Sequence, residues 1–362
     1  MVRLLNELIN INQEIILFIA CKGGVYEKNL DPRIKVIYGT RRKKLETNWS
    51  LLVSTFKLAQ CIKSYQPKIV FSMMDHVNIS AILGVKLLKN KPILICGIHN
   101  TPSQKYIVNG NGEKKIWFLL MKRFYGYANL IIACSHGVRS DLKKLIPNLT
   151  TPIEVIYNAA ITDEISAYYE KRPRTLFSDV ADIEVKSIIT CGRLIKQKGY
   201  DLLVQAFALL SKEVNVKLCF IGDGPEKSNL SALCTELGVS KSVTFLGYLD
   251  NPFVEISKSD VFVMSSLFEG NPQVIVEAMA VGVPVVSIDC PYGPAEIIEN
   301  MKNGVLVSSR NPKDLSKAIL QLLNNGELRA NISKNAIISA RSRHAKEIAI
   351  QHNELFLKMM DK

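Results

Sequence analysis

Short apolar runs alternate with amphipathic stretches along the whole chain. EIILFIAC at 14–21 reads as a buried strand and VIYG at 36–39 as a second; KIVFSMM at 68–74, PILICGI at 92–98 and LIIACS at 130–135 continue the series. Between them, helical spacing predicts helices over 51–65, 78–89, 114–128 and 136–144. Continuous apolar strands separated by helices imply a parallel α/β arrangement. After the strand-like IEVIYNA at 153–159, many charges and no clear period mark 160–186 as a connection. A second series then begins with SIITCGRL at 187–194, VKLCFIGDG at 216–224 and VTFLGYL at 243–249. It continues with VFVMSS at 261–266, PVVSID at 284–289 and GVLV at 304–307. Two tandem domains are therefore predicted, 1–159 and 187–342, with a last helix in 343–362 crossing back to the first. Ligands of such sheets bind beyond the carboxyl ends of the strands, in a cleft that two such domains would face.

The length of 362 residues supports this division, because one hydrophobic core seldom grows that large. No run of ~18 apolar residues suggests a membrane span. The opening residues have one early cation, Arg3, and are interrupted by Glu7 and Glu14. They lack the basic start, apolar run and cleavage site of a secretion signal, which places the chain in the cytoplasm. The eight cysteines are scattered, with no CxxC pair, and read as reduced core residues. Charge is uneven: residues 1–160 hold 23 Lys/Arg against nine Asp/Glu, and the remainder 23 against 24. Such a field attracts phosphates, nucleic acid or an anionic membrane. The run Arg41-Arg42-Lys43-Lys44 beside Trp49 concentrates it. No nucleic-acid-binding motif accompanies the charge, so the inner face of the cell membrane is the expected partner surface and nucleic acid is not.

The strongest candidate chemistry is EGNPQVIVE, which sets Glu269 and Glu277 eight positions apart across a helix start. Asn271 is expected to cap that helix and Pro272 to take its first position, leaving backbone N–H groups and a positive dipole end for an anion. At ~1.5 Å per residue, the two carboxylates lie at most ~12 Å apart along the axis, a span that suits a nucleoside diphosphate sugar. Upstream, CGRLIKQKG puts Arg193 and Lys198 between Gly192 and Gly199, after a buried strand. Gly222-Asp223-Gly224-Pro225-Glu226 reads as a strand-ending turn and lacks the spacing of a dinucleotide fingerprint. His99 ends the strand run ILICGI.

Taken together, the spaced glutamates, the Arg193/Lys198 pair, GDGPE and Gly282-Val-Pro284-Val-Val resemble, in order, the motifs of retaining family 4 glycosyltransferases of the GT-B architecture. The match is dense over 187–310 and looser before it. The resemblance implies two Rossmann-like domains and transfer of a hexose or N-acetylhexosamine from a nucleotide sugar to a glycan or polyprenyl-diphosphate-linked acceptor in surface polysaccharide assembly. It assigns Arg193 and Lys198 to the donor diphosphate, Glu269 and His99 to the donor sugar, and Glu277 to the ribose. Gly192, Gly222, Gly270 and Asn271 would line the donor. Ser135 and Asn158 match recurrent positions read as a helix start and a hinge, and His76 would lie on the acceptor side. The element Asp289-Cys-Pro-Tyr-Gly-Pro-Ala-Glu296 resembles that of bacterial members using UDP-sugars. Neither a metal nor a cofactor beyond the donor is expected.

One departure stands out. The family opens with a strand and a Gly-Gly loop, whereas this chain opens on RLLNELIN, the helix that follows them, and Gly23-Gly24 comes after EIILFIAC, which would correspond to the family's second strand. A missing first strand would expose an apolar groove and unpaired backbone, which suggests a misassigned start or a truncated, poorly active relative. The alternatives are a noncatalytic nucleotide-sugar-binding relative and a nucleotide-sugar epimerase.

Overall fold

The computed structural model describes residues 1–11, 13–40, 48–108, 112–170 and 185–361. The basic run at 41–44 and most of the segment 171–186 lie outside the described residues. The chain divides into two compact units, one formed by Met1–Ala159 with Ala345–Lys362 and the other by Ala160–His344.

In the first unit, helix α1 (Val2–Asn10) precedes β1 (Ile16–Cys21) and β2 (Lys35–Thr40). Then follow α2 (Asn48–Tyr65), β3 (Ile69–Met73), α3 (Asp75–Lys86), β4 (Ile93–Ile98), α4 (Gly112–Phe124), β5 (Leu130–Ala133), α5 (His136–Leu145) and β6 (Ile153–Val155). All strands pair in parallel, β1 with β2 and β3 through β6 in chain order, as two separate sheets with no described strand joining them. Alternation along each strand sorts the core into two faces. Leu94, Cys96 and Ile98 of β4 meet Ile62, Ile82, Met121 and Leu142 from the helices α2 to α5. Ile95, Leu130 and Ile132 turn the other way, onto Leu4 and Leu8 of α1 and onto Ile348 and Ala349 of the last helix.

The second unit contains α6 (Asp163–Glu170), β7 (Lys186–Cys191), α7 (Tyr200–Leu210), β8 (Val216–Ile221), α8 (Lys227–Glu236), β9 (Val243–Gly247), α9 (Phe253–Ser257) and β10 (Val261–Met264). It ends with α10 (Gln273–Ala280), β11 (Val285–Ile288), β12 (Val305–Val307), α11 (Pro312–Asn324) and α12 (Gly326–Ala340); α13 (Ala345–Met360) returns to the first unit. Its six parallel strands lie in the order β12-β11-β10-β7-β8-β9. The chain winds outward from β7 through β8 and β9, then restarts at β10 on β7's other side, so the sheet's switch point lies between β7 and β10. Asp260 fixes that junction at its lower end, its Oδ2 accepting from the Ser187 backbone N–H at 2.8 Å and from the Ser187 hydroxyl at 2.9 Å.

Three local differences from the sequence reading have physical causes. Residues 163–170, read as part of a connection, form α6 and pack in the second unit, with Tyr168 against Phe253. Helix α3 starts at Asp75 instead of residue 78, because Met74 adopts φ 81° and breaks the strand, and an aspartate in a first turn suits the dipole. In the second unit's helix α10, Pro272 stays extended at ψ 91° and takes the N-cap position itself, so the helix begins at Gln273 and Asn271 lies one residue ahead of the cap.

The loops after β7 and β8 approach each other closely through glycine. A Cβ on Gly222, at φ 129°, would sit 2.0 Å from the Gly192 carbonyl oxygen. Gly222→Ala therefore combines a forbidden conformation with a steric overlap and should cost at least ~3 kcal/mol, measured by chemical denaturation. Near-native stability of that variant would show that the two loops can separate.

Candidate active site

The loops that follow β7 and β10 meet at the switch point. After β7 the chain runs through Gly192 and Arg193 into a 3₁₀ turn, Lys196–Lys198, which Gly199 terminates in the left-handed conformation at φ 56°. A Cβ there would lie 2.5 Å from the Ser265 carbonyl, so only glycine lets the two loops close up. They are then tied four times. Leu267 N–H donates to the Gln197 carbonyl at 2.8 Å, Gln197 Nε2 to the Phe268 carbonyl at 3.0 Å, and the Ser265 hydroxyl to the Lys198 carbonyl at 3.0 Å. The fourth tie is ionic: Lys198 Nζ lies 2.8 Å from Glu269 Oε1, with the side chains 19% and 10% exposed. The Ser266 hydroxyl donates to the same oxygen at 2.7 Å. Arg310 supports this loop from below by donating to the carbonyls of Ser265 and Ser266 at 3.1 and 2.9 Å.

Arg193 occupies the same loop as Lys198, exposed and with no ion-pair partner among the described residues. Glu277 stands in the second turn of α10, half-buried; burial, with the Glu277 charge added, pushes the Cys191 thiol at the end of β7 up to about 12. Glu269, Gly270 and Asn271 are buried in the loop ahead of α10, in whose first turn the Ile275 N–H donates to the Pro272 carbonyl at 3.1 Å. Gly192 and Gly222 act on each other as well as lining this end of the sheet. Leu194 N–H donates to the Asp223 carbonyl and Glu226 N–H to the Leu194 carbonyl, both at 2.9 Å, zipping the two glycine loops together. The structure thus gathers Gly192, Arg193, Lys198, Gly222, Glu269, Gly270, Asn271 and Glu277 at the carboxyl end of one sheet.

His99 and Asn158 belong to the first unit. His99 Nδ1 lies 2.9 Å from Asn158 Oδ1. An amide oxygen only accepts, so Nδ1 carries the proton and Nε2 keeps its lone pair; Nε2 is buried with no hydrogen-bond partner among the described residues. Burial, opposed by the Asn158 bond, lowers the imidazole to about 4. Asn158 thus orients a histidine. Ser135 caps α5, its Oγ accepting from Val138 N–H at 3.1 Å. His76 is exposed, edge-on to Trp117 at 6.2 Å.

The loop that follows His99 is held by two buried carboxylates. Asp141 Oδ2 accepts from Ser103 N–H at 2.8 Å, while Asp75 accepts from Lys105 Nζ at 2.7 Å and from the hydroxyls of Tyr106 and Tyr125. Sequence reasoning passed over Ser266, Arg310, Asp75 and Asp141. Only the position of Ser266 directly after the VFVMS strand could have flagged any of them. Among the described residues no group of three His, Cys, Asp or Glu could hold a metal ion, and no helix is long and apolar enough to cross a membrane.

Residues 1–164 match the family described as "Glycosyltransferase Family 4" and residues 171–338 that described as "Glycosyl transferases group 1". The chain belongs to these glycosyltransferases. It is 30% identical over 276 residues to an uncharacterised glycosyltransferase of Methanocaldococcus jannaschii, covering 73% of this chain and 66% of that protein. It is 29% identical over 279 residues to the N-acetylgalactosamine-N,N'-diacetylbacillosaminyl-diphospho-undecaprenol 4-alpha-N-acetylgalactosaminyltransferase of Campylobacter jejuni, covering 77% and 73%. Among solved structures, Anabaena HepE in complex with UDP and glucose superposes with a TM-score of 0.76 over 98% of this chain and 95% of its own, at 20% identity. The fold class is thus a GT-B glycosyltransferase with two Rossmann-like domains.

His352 of α13, buried between Phe71 and Phe356, is also lowered to about 4 by burial. Both histidines fold neutral against an unfolded value near 6.5. Their contribution is complete above about pH 6.5 and is lost as the pH falls toward 4, where the unfolded chain binds protons that the folded one refuses. His352→Phe keeps the aromatic packing and should lower the slope of stability against pH in that window by about one proton. An unchanged slope in denaturation series at several pH values would show that His352 titrates normally.

Proposed function

We propose that this chain transfers a hexose or N-acetylhexosamine from UDP to a polyprenyl-diphosphate-linked glycan, retaining anomeric configuration, in bacterial surface polysaccharide assembly. The observation that carries the donor half is the junction of the β7 and β10 loops: an ion-paired lysine, an unpaired arginine five residues earlier, and a helix start, all at the switch point. Breaking the bond to the anomeric carbon leaves negative charge on the departing diphosphate. Arg193, Lys198 and the positive end of the α10 dipole are the groups proposed to neutralise it, and no resident metal is required. An ammonium has three donors, so Lys198 can keep Glu269 while reaching a phosphate oxygen.

In this reading Glu277 accepts from the ribose hydroxyls, and Glu269, held by Lys198 and Ser266, accepts from hydroxyls of the sugar. His99 adds Nε2 as a further acceptor for a sugar hydroxyl, neutral at physiological pH. No side chain is assigned as a covalent nucleophile. The acceptor class is supported by the diphospho-undecaprenol substrate in the name of the Campylobacter relative, and the donor by the UDP complex of HepE. The CPYGPAE element favours UDP over GDP. The basic N-terminal half suits an acceptor held at an anionic membrane.

Titration calorimetry with UDP and GDP, followed by a panel of UDP-sugars scored for transfer and slow hydrolysis, tests the assignment. Arg193→Ala and Lys198→Ala should each weaken UDP binding roughly ten- to hundredfold, the range for a lost charged hydrogen bond. Glu277→Ala should weaken UDP but not inorganic diphosphate. Tight UDP binding without turnover on any donor would instead identify a noncatalytic nucleotide-sugar-binding relative.

A further inference from the structure

Helices α2, α3 and α4 lie side by side over one face of the four-stranded sheet in the first unit. Their inner sides supply the core. Their outer sides leave large apolar side chains in water: Phe56 of α2 is 63% exposed, and Ile116 and Leu119 of α4 are 58% and 62% exposed. On α4, Ile116, Leu119 and Arg123 recur at i, i+3 and i+7, a single stripe that Tyr127 continues just beyond the helix. The Arg123 guanidinium donates to the Tyr127 hydroxyl at 3.3 Å, and Lys86 Nζ of α3 lies 3.5 Å from the Tyr127 ring centroid.

All three helices also expose cations. Lys57 and Lys63 are exposed on α2, Lys86 on α3, and Lys115, Lys122 and Arg123 on α4. Among the described side chains of the three helices no carboxylate is exposed, because Asp75 is buried and bonded to Lys105, Tyr106 and Tyr125. The sequence of the three helices contains one further acid, Glu113. A face that joins exposed Phe, Ile and Leu to cations of one sign is what an interfacial helix presents to headgroups and the acyl boundary beneath them. A nucleic-acid surface would use the cations but leave Ile116 and Leu119 without a role.

We propose that the outer face of α2, α3 and α4 docks on an anionic lipid bilayer. The geometry of the face carries this; its purpose, delivering a lipid-linked acceptor, rests on the transferase reading above. Flotation of the full chain with vesicles of phosphatidylcholine alone, or with added phosphatidylglycerol, tests it. Binding should require the anionic lipid and weaken with salt. Replacing Lys115, Lys122 and Arg123 together by Gln should reduce binding roughly a hundredfold at low salt, at about fivefold per cation. Ile116→Glu with Leu119→Glu should abolish it, with melting temperature and UDP affinity unchanged in both variants because these side chains are already in solvent.

Equal retention on neutral and anionic vesicles, or anionic binding that survives both sets of changes, would overturn the proposal. So would binding to duplex DNA that falls with the cation changes and ignores the apolar ones. Absence of UDP binding by the unaltered chain would sink the transferase reading and leave the docking result standing.

Discussion

The ion pair between Lys198 and Glu269 is the contact on which the second unit's site depends. Both side chains are mostly withdrawn from water, at a depth where either charge alone would be expensive to hold. Each fixes the other, and each sits on a different loop, so the pair holds together the carboxyl ends of β7 and β10. The backbone ties among Gln197, Leu267 and Phe268, and the Arg310 bonds beneath, give the two charges a fixed frame. The groups that can meet an anionic ligand are therefore positioned before it arrives, as electrostatic stabilisation of a departing charge requires.

The first unit solves the matching problem without an ion pair at its histidine. His99 is oriented by a neutral amide, and the loop after it is anchored through two aspartates on different helices. Burial keeps the imidazole uncharged, so Nε2 has the chemistry of a lone pair and not of a proton donor. The second unit thus offers cations at its sheet end, and the first unit, by itself, holds a neutral acceptor.

Much of this was legible in the chain. The strands were visible because buried parallel strands need uninterrupted apolar runs, and the runs ending at Ile98, Cys191 and Met264 put His99, Arg193 and Ser265 at strand ends. The spacing of Glu269 and Glu277, the Arg193/Lys198 pair and their order carried the family resemblance. Features that depend on two distant segments touching were not legible. Nothing in the run around Arg310 shows that it will support Ser265, and nothing near Asp75 shows that Lys105 and Tyr106 will converge on it. Helix α6 was missed because its short amphipathic stretch borders a charged segment. The start of α10 was misplaced because Pro272 can occupy either the first helical position or the cap, and only the surrounding packing selects ψ.

The return of α13 to the first unit affects how the protein is made. The first unit's second core face includes Ala345, Ile348 and Ala349, so residues 1–159 cannot complete that face until the last segment has left the ribosome. The second unit, contiguous over 160–344, needs no later residues. At a synthesis rate of about 5–20 residues per second, the earlier half waits on the order of tens of seconds for its closing helix while the later half folds. During that interval Leu4, Leu8, Ile95 and Ile132 have one another but lack the cover of Ile348 and Ala349, and a nascent chain with that surface partly open is the form most exposed to chaperones and to misassociation.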